Sequence, residues 1–322
     1  MEQMEVQFSE FKWVDIAGPT ADVLLQLAEK EGLSKRIVSN CLDTDYLPQL
    51  ETYGTYQFII LRLMEPNSKP HANSVQDLTT KIAIFILQDK LITIHRLPLK
   101  EIEAVKLKAT EINSVQKSIT KQRVISLFYD QLANGFDKPL TELEQKLDSF
   151  EEKLFTKDKS KNFIQEGFYL KRKAAAFKKV LKLTLDLLNK LNIKMECTPE
   201  QFQESKDRLE RSLFYAEDVY DNIQSLMSLH LSIESQKTNE ASFKTNEIMR
   251  VLTVLTIFFL PLNFLVGVFG MNFAHIPFLQ HEYGFWFSII LMSVISGLLA
   301  VYLFKQGWLS KPDILLDSEE SN

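Results

Sequence analysis

The 322-residue sequence predicts an α+β N-terminal part, one very long helix and two C-terminal membrane-spanning helices. Three observations carry that prediction. Residues 251–272 and 285–304 hold no Lys, Arg, Asp or Glu, and an apolar run of roughly 20 residues is the length that crosses a bilayer. Upstream, residues 57–95 contain several short runs rich in Ile, Leu and Phe, which read as strands. Between them, no Gly or Pro occurs from Pro199 to Pro261, so a single helix is expected to enter the first apolar run without a break.

Taken in order, residues 1–97 read as a mixed α/β layer. Residues 11–16 form a strand candidate and residues 21–29 an amphipathic helix closed by Gly32. Residues 57–64, 78–87 and 91–95 are three further strands, with Gln88-Asp89-Lys90 as a hairpin turn between the last two. Residues 65–77 contain Pro66, Asn67, Pro70 and Asn73 and read as loop. His95 ends a strand without an evident Asp or Cys partner, so it reads as a packing residue.

Residues 98–197 turn helical, with apolar residues spaced by three and four over 122–135 and 139–155. Residues 171–190 form a basic amphipathic helix. Such a helix either lies on anionic lipid or exposes its lysines while its Leu stripe packs on a neighbour, and the second reading is the simpler. Thr198-Pro199-Glu200-Gln201 is a helix start, with Thr as cap, Pro at the first position and Gln closing a capping box. A stalk over 198–250 follows, and the uninterrupted run would reach roughly 90 Å at 1.5 Å per residue. Pro261 removes one backbone hydrogen bond and permits a bend within the first span.

Composition excludes several classes. A formal net charge of −5 argues against nucleic acid as a partner. Cys41 and Cys197 make neither a disulfide framework nor a thiolate metal site. The five histidines show no ligand spacing, although His275 and His281 flank the short link between spans. No constellation of catalytic groups and no phosphate-binding Gly-x-x-x-x-Gly-Lys run occurs, so an enzyme is not expected. The start, MEQMEVQF, has no signal-peptide pattern. Lys244, Arg250, Lys305 and Lys311 flank the spans, while the link 273–284 has no Lys or Arg. Both termini, including the tail 305–322, are therefore expected on the cytoplasmic side of an inner or plasma membrane.

The first span is not evenly apolar. Stepping by three and four from Asn246 gives Met249, Thr253, Thr256, Leu260, Asn263, Gly267 and Gly270, one helical stripe that gathers most of its polar atoms. Polar groups at membrane depth face protein or a water-filled cavity. Two readings follow: several copies enclose a passage lined by this stripe, or the stripe is a helix–helix interface with Thr and Asn as hydrogen-bonding glue. Just upstream, Lys-Thr-Asn-Glu occurs at residues 237–240 and again at 244–247. That seven-residue step puts Asn239 and Asn246 on one face, so two rings of Asn are expected at the mouth of such a passage.

Gly270-Met271-Asn272 directly ends the span, Pro261-Leu262-Asn263 precedes it and Lys244-Thr245-Asn246-Glu247 stands before that, with a second span behind. Together these resemble the CorA family of divalent-cation channels. The resemblance implies a cytoplasmic αβα domain, a stalk helix and a funnel-shaped homo-oligomer, a pentamer, in a lipid bilayer. It implies magnesium ions both as cargo and as cytosolic regulator. Gly270, Met271 and Asn272 would form the selectivity filter. Asn246, Met249, Leu252, Thr253, Thr256, Leu260 and Asn263 would line the pore, with the apolar members closing it by dewetting. Asp218 and Asp221 would be regulatory metal ligands. Three departures from the family pattern stand out: Asn263 replaces a hydroxyl residue, Phe278 replaces an outer acid, and the tail lacks a lysine run. The resemblance implies Mg²⁺ uptake; the other readings are a Zn²⁺, Co²⁺ or Ni²⁺ transporter of the same fold and a non-conducting helical scaffold or sensor.

Overall fold

The computed structural model describes residues 2–116, 118–155, 162–195, 199–272 and 281–308. They form two compact units that divide between His230 and Leu231, inside the longest helix. Thr198, Cys197, His275, Phe278 and Lys311, which figured in the sequence reading, lie outside the described residues.

The first unit is built on a six-stranded mixed sheet. The strands are β1 (Glu2–Gln7), β2 (Lys12–Ala17), β3 (Gln49–Tyr53), β4 (Tyr56–Met64), β5 (Thr79–Ile86) and β6 (Lys90–His95), in the order β1-β2-β6-β5-β4-β3. Only β2 and β6 run parallel; every other neighbouring pair is antiparallel. The four central strands are buried on both faces, which is why their sequences are continuous apolar runs. The edge strands β1 and β3 were not expected. Their residues, EQMEVQ and QLETY, stay largely exposed or half-buried, so no apolar pattern marked them. The β5–β6 hairpin forms as expected, with Leu87 N–H donating to Lys90 O at 2.9 Å.

Helices cover both faces. Helices α1 (Ala21–Glu31) and α2 (Lys35–Ser39) pack on Val14, Ile16, Phe58, Ile60, Phe85 and Ile94. Gly32 ends α1 with φ 64°, the left-handed conformation that glycine adopts without strain. Val75–Leu78 is a short helix, α3, capped by Ser74, at the end of the stretch expected to be loop, and it takes in Leu78, expected to begin the next strand. On the opposite face lie α4 (Lys100–Gln116), α5 (Lys121–Phe155) and α6 (Phe163–Met195). The two apolar segments expected at 122–135 and 139–155 are one helix running through Pro139, held by the buried Phe136, Leu140 and Leu143. In α6, Leu170, Ala174, Phe177, Leu181, Leu188 and Leu191 form a buried stripe, while Arg172, Lys179, Lys182 and Lys190 are exposed and Lys173 is buried, so most of its basic side is the solvated face of a packed helix.

The longest helix, α7 (Pro199–Phe269), begins within the first unit, where Phe202, Leu209, Ala216, Val219 and Ile223 are buried. A Cβ added at Gly167 of α6 would meet Phe150 Cζ at 2.8 Å and Met227 Cγ at 3.1 Å, so α5, α6 and α7 converge closely there.

His95 corrects the sequence reading. The parallel β2–β6 register brings Asp15 beside it, and His95 Nε2 lies 3.1 Å from Asp15 Oδ2 while Nδ1 faces the Leu97 carbonyl. Asp15 also accepts from the Thr93 hydroxyl, whose oxygen accepts from the Trp13 indole at 3.0 Å. Burial pushes the imidazole pKa down, but Asp15 and the Leu97 carbonyl outweigh it and raise it above the ordinary 6.5. The sign follows: protonated His95 stabilises the fold fully below about pH 6.5, and that contribution is lost as pH rises through the raised value. The unfolding midpoint, followed by tryptophan fluorescence, should therefore fall between pH 6 and pH 9 in the wild type and fall less in His95→Gln. Parallel profiles would show that the pair carries no such linkage.

Candidate functional site

The second unit holds the end of α7 and the helix α8 (Gly284–Lys305), each long and apolar enough to cross a membrane, with a mean hydropathy of 2.3 in its most apolar stretch. Along α7, Val254, Ile257, Phe258, Pro261, Leu262, Leu265 and Phe269 are half-buried. Along α8 the covered residues recur as Ser288, Leu291, Met292, Ile295, Leu299 and Leu303. Both sets follow the three-and-four spacing of helices that pack side by side. Near the end of α7 the two helices line one groove, with Val266, Phe269 and Gly270 on one side and Gly284, Phe285 and Met292 on the other.

Most of the stripe singled out in the sequence lies away from that face, although Gly270 at its end lines the groove with α8. Asn246, Met249, Thr256, Leu260, Asn263, Gly267 and Gly270 of the stripe are exposed, and so is Leu252, which the resemblance added to the lining. Large apolar members are uncovered too, Met249 at 59%, Leu252 at 62% and Leu260 at 65% exposure. Thr253 differs from expectation: it sits half-buried at the margin of the stripe. Its hydroxyl donates to Met249 O at 2.7 Å, and that of Thr256 donates to Leu252 O at 2.8 Å. Both threonines thus meet their own donor requirement within the helix and leave oxygen lone pairs outward. Asn263 has no such local partner among the described residues and presents a whole amide.

The helix ends earlier than the apolar run. Its last residue is Phe269, and Gly270-Met271-Asn272 leaves it in a turn, with Gly270 N–H donating to Val266 O at 2.9 Å. All three residues are exposed, so the Asn272 amide and the freed carbonyls at the helix end are open to a ligand.

Asp218 and Asp221 lie in the first unit, one turn apart on the exposed face of α7. Asp218 Oδ2 accepts from Asn222 Nδ2 at 3.0 Å. No group of three or more His, Cys, Asp or Glu gathers into a metal site among the described residues. His281 is exposed, and Cys41 is a buried free thiol with its pKa pushed up to about 12 by burial.

Residues 8–306 match the family described as CorA-like Mg²⁺ transporter protein. The chain belongs to that family. It is a divalent-cation transporter and not an enzyme. The cobalt/magnesium transport protein CorA of Thermotoga maritima is 26% identical over 310 residues, covering 92% of this chain and 83% of the relative. Among solved structures, the complete CorA magnesium transporter of Methanocaldococcus jannaschii superposes with a TM-score of 0.53 at 23% identity, covering 96% of this chain and 95% of that one. Full-length CmaX superposes with a TM-score of 0.59 at 19% identity, covering 94% and 90%. These likenesses span both units, so the mixed sheet, the long helix and the two apolar helices are the architecture of this CorA-like chain.

The turn at Gly270 is sterically specified, because a Cβ there would stand 3.0 Å from Val266 O, a backbone atom that cannot swing aside. Gly270→Ala should lower Mg²⁺ flux into liposomes with unchanged helix content by circular dichroism, since the backbone at Val266 must give by a few tenths of an ångström to admit the methyl group. Wild-type flux in this variant would show that the turn does not position the site.

Proposed function

We propose that this chain assembles as a homo-pentamer that conducts Mg²⁺ passively into the cell, driven by the membrane potential and closed by Mg²⁺ on its N-terminal units. The observation that carries the reading is the exposed stripe of α7: its amide and hydroxyl oxygens stand on the side that α8 leaves uncovered. Lipid offers such groups no partner. Identical copies around an axis would turn these stripes toward shared water. The membrane and divalent cations are then the partners, and both termini lie in the cytoplasm, a reading that the Lys and Arg flanking the spans support.

Mg²⁺ is small and releases water reluctantly, so rapid passage favours neutral oxygens that bind its hydration shell rather than carboxylates that strip it. Asn272 and the carbonyl of Gly270 supply such oxygens at the outer end, next to Met271. Asn263, Thr256, Thr253 and Asn246 continue the lining inward. Met249, Leu252 and Leu260 form apolar rings that close the passage when they dewet. Two charges moving through 100 mV gain about 4.6 kcal/mol, enough to drive uptake without a coupled reaction.

Closure uses Asp218 and Asp221. Each copy contributes two exposed carboxylates on one helix face, and a bound Mg²⁺ between adjacent copies would offset their mutual repulsion. When cytosolic Mg²⁺ falls, the copies separate.

Three measurements test this reading. Asn272→Ala should fail to restore growth of a magnesium-transport-deficient strain at low Mg²⁺, while wild type restores it; full rescue by the variant would favour a scaffold that does not conduct. Liposome flux should rank Mg²⁺ and Co²⁺ above Zn²⁺, and the reverse order would reassign the cargo. Asp218→Asn should raise the Mg²⁺ concentration that half-closes the channel by about fivefold or more, the size of an ordinary inter-site coupling; an unchanged value would remove Asp218 from regulation.

A further inference from the structure

Strand periodicity puts Glu2, Met4 and Val6 of β1 and Trp13 and Asp15 of β2 on one face of the sheet, where α4 lies over them. Leu99, Ile102, Glu103 and Lys106 recur at three and four and turn one side of that helix toward the strands. Between strands and helix runs a narrow cleft with room for about three water-sized groups. Its walls are apolar, from Met4, Val6, Trp13, Leu99 and Ile102. Its two ends are not.

At the inner end stand Asp15, 8% exposed, and His95, 3% exposed. The donors around Asp15 are already engaged. The Trp13 indole donates to Thr93 at 3.0 Å, the Thr93 hydroxyl donates to Asp15, and the two His95 nitrogens face Asp15 and the Leu97 carbonyl. A carboxylate has about four acceptor positions, so these contacts leave Asp15 able to accept once more, from the cleft. The buried group thus offers lone pairs there and no donor. At the mouth, Glu2 and Glu103 are exposed and make no ion pair among the described residues. Lys106 leaves them unmatched, because its ammonium turns to Met4 Sδ.

We propose that this cleft binds a short aliphatic amine, its ammonium held by Glu2 and Glu103 at the mouth and a hydroxyl or second amino group donating to Asp15 at the inner end. A divalent metal needs several oxygens converging on one point, and no group of three or more His, Cys, Asp or Glu gathers into such a site among the described residues. Acids at the two ends of an apolar cleft suit instead a molecule with a methylene body and a polar group at each end. An anionic group would meet a carboxylate at either end. A plain hydrocarbon end would cover Asp15 and strip its water without replacing the hydrogen bond. The cleft lies wholly within the first unit, so this inference is independent of the channel reading.

The test is a ligand-observed NMR titration of the full chain in detergent micelles, with aminopropanol as the probe. Aminopropanol should bind about tenfold or more tightly than propylamine, which lacks the inner donor, the scale of a hydrogen bond to a charged group. Propanediamine should bind like aminopropanol, while propanediol, without an ammonium, and aminopropanoate, with a carboxylate at its far end, should not bind. Glu103→Gln should weaken aminopropanol about threefold, the size of an exposed ion pair, and the Glu2→Gln/Glu103→Gln variant about tenfold. Val6→Phe, on the half-buried edge strand, should fill the cleft and abolish binding. Asp22→Asn, an exposed acid of α1 remote from the cleft in sequence, should change nothing. Equal affinity for propylamine and aminopropanol would overturn the role of Asp15. Binding that survives both Glu103→Gln and Val6→Phe unchanged, or no binding of aminopropanol to the wild type, would overturn the site.

Discussion

The constraint on which this molecule turns is the cost of a polar group at membrane depth. Hydrocarbon provides no hydrogen-bonding partner, so each donor or acceptor must be met by the protein or by water. The threonines of α7 meet it locally, through the Met249 and Leu252 carbonyls. Asn263 does not, and the face of α7 that α8 covers is a different one. An exposed amide on a spanning helix is costly in a lone chain and useful where copies enclose water.

The first unit answers a different demand, that of rigidity. Its central strands are covered on both sides, by α1 and α2 on one face and by α4 and α5 on the other, so the sheet has no solvent face on which to slip. The parallel β2–β6 contact adds a buried polar group, His95 with Asp15, Thr93 and Trp13. Breaking one partner of such a group strands the others, which fixes the register more firmly than apolar contact does. Beside it, Arg62 and Lys81 oppose each other across β4 and β5 and turn their donors to backbone carbonyls, Arg62 to Thr44 and Tyr46 and Lys81 to Asn40. Burial lowers the Lys81 pKa to about 8. These cations bind the loop over the sheet edge.

The relatives set the level at which function is known. The match over residues 8–306 and the agreement of fold along both units establish a CorA-like divalent-cation transporter.

The sequence alone determined the parts whose signal is local and periodic. Charge-free runs of bilayer length, the doubled tetrapeptide, the three-and-four stripe and the continuous apolar strands are each readable from spacing, because burial and helical geometry act on neighbouring residues in order. Gly270-Met271-Asn272 was legible in another way, through its resemblance to the motif of the CorA family at the end of a span. Only the tertiary structure decided what depends on partners far away in the chain. Polar edge strands β1 and β3 form because the sheet offers them backbone hydrogen bonds, not because of their own pattern. His95 found Asp15 through a parallel register linking residues 80 positions apart. Thr253 fell at the margin of its stripe because the side α8 covers, and not the helical period, decides which residues on α7 stay open.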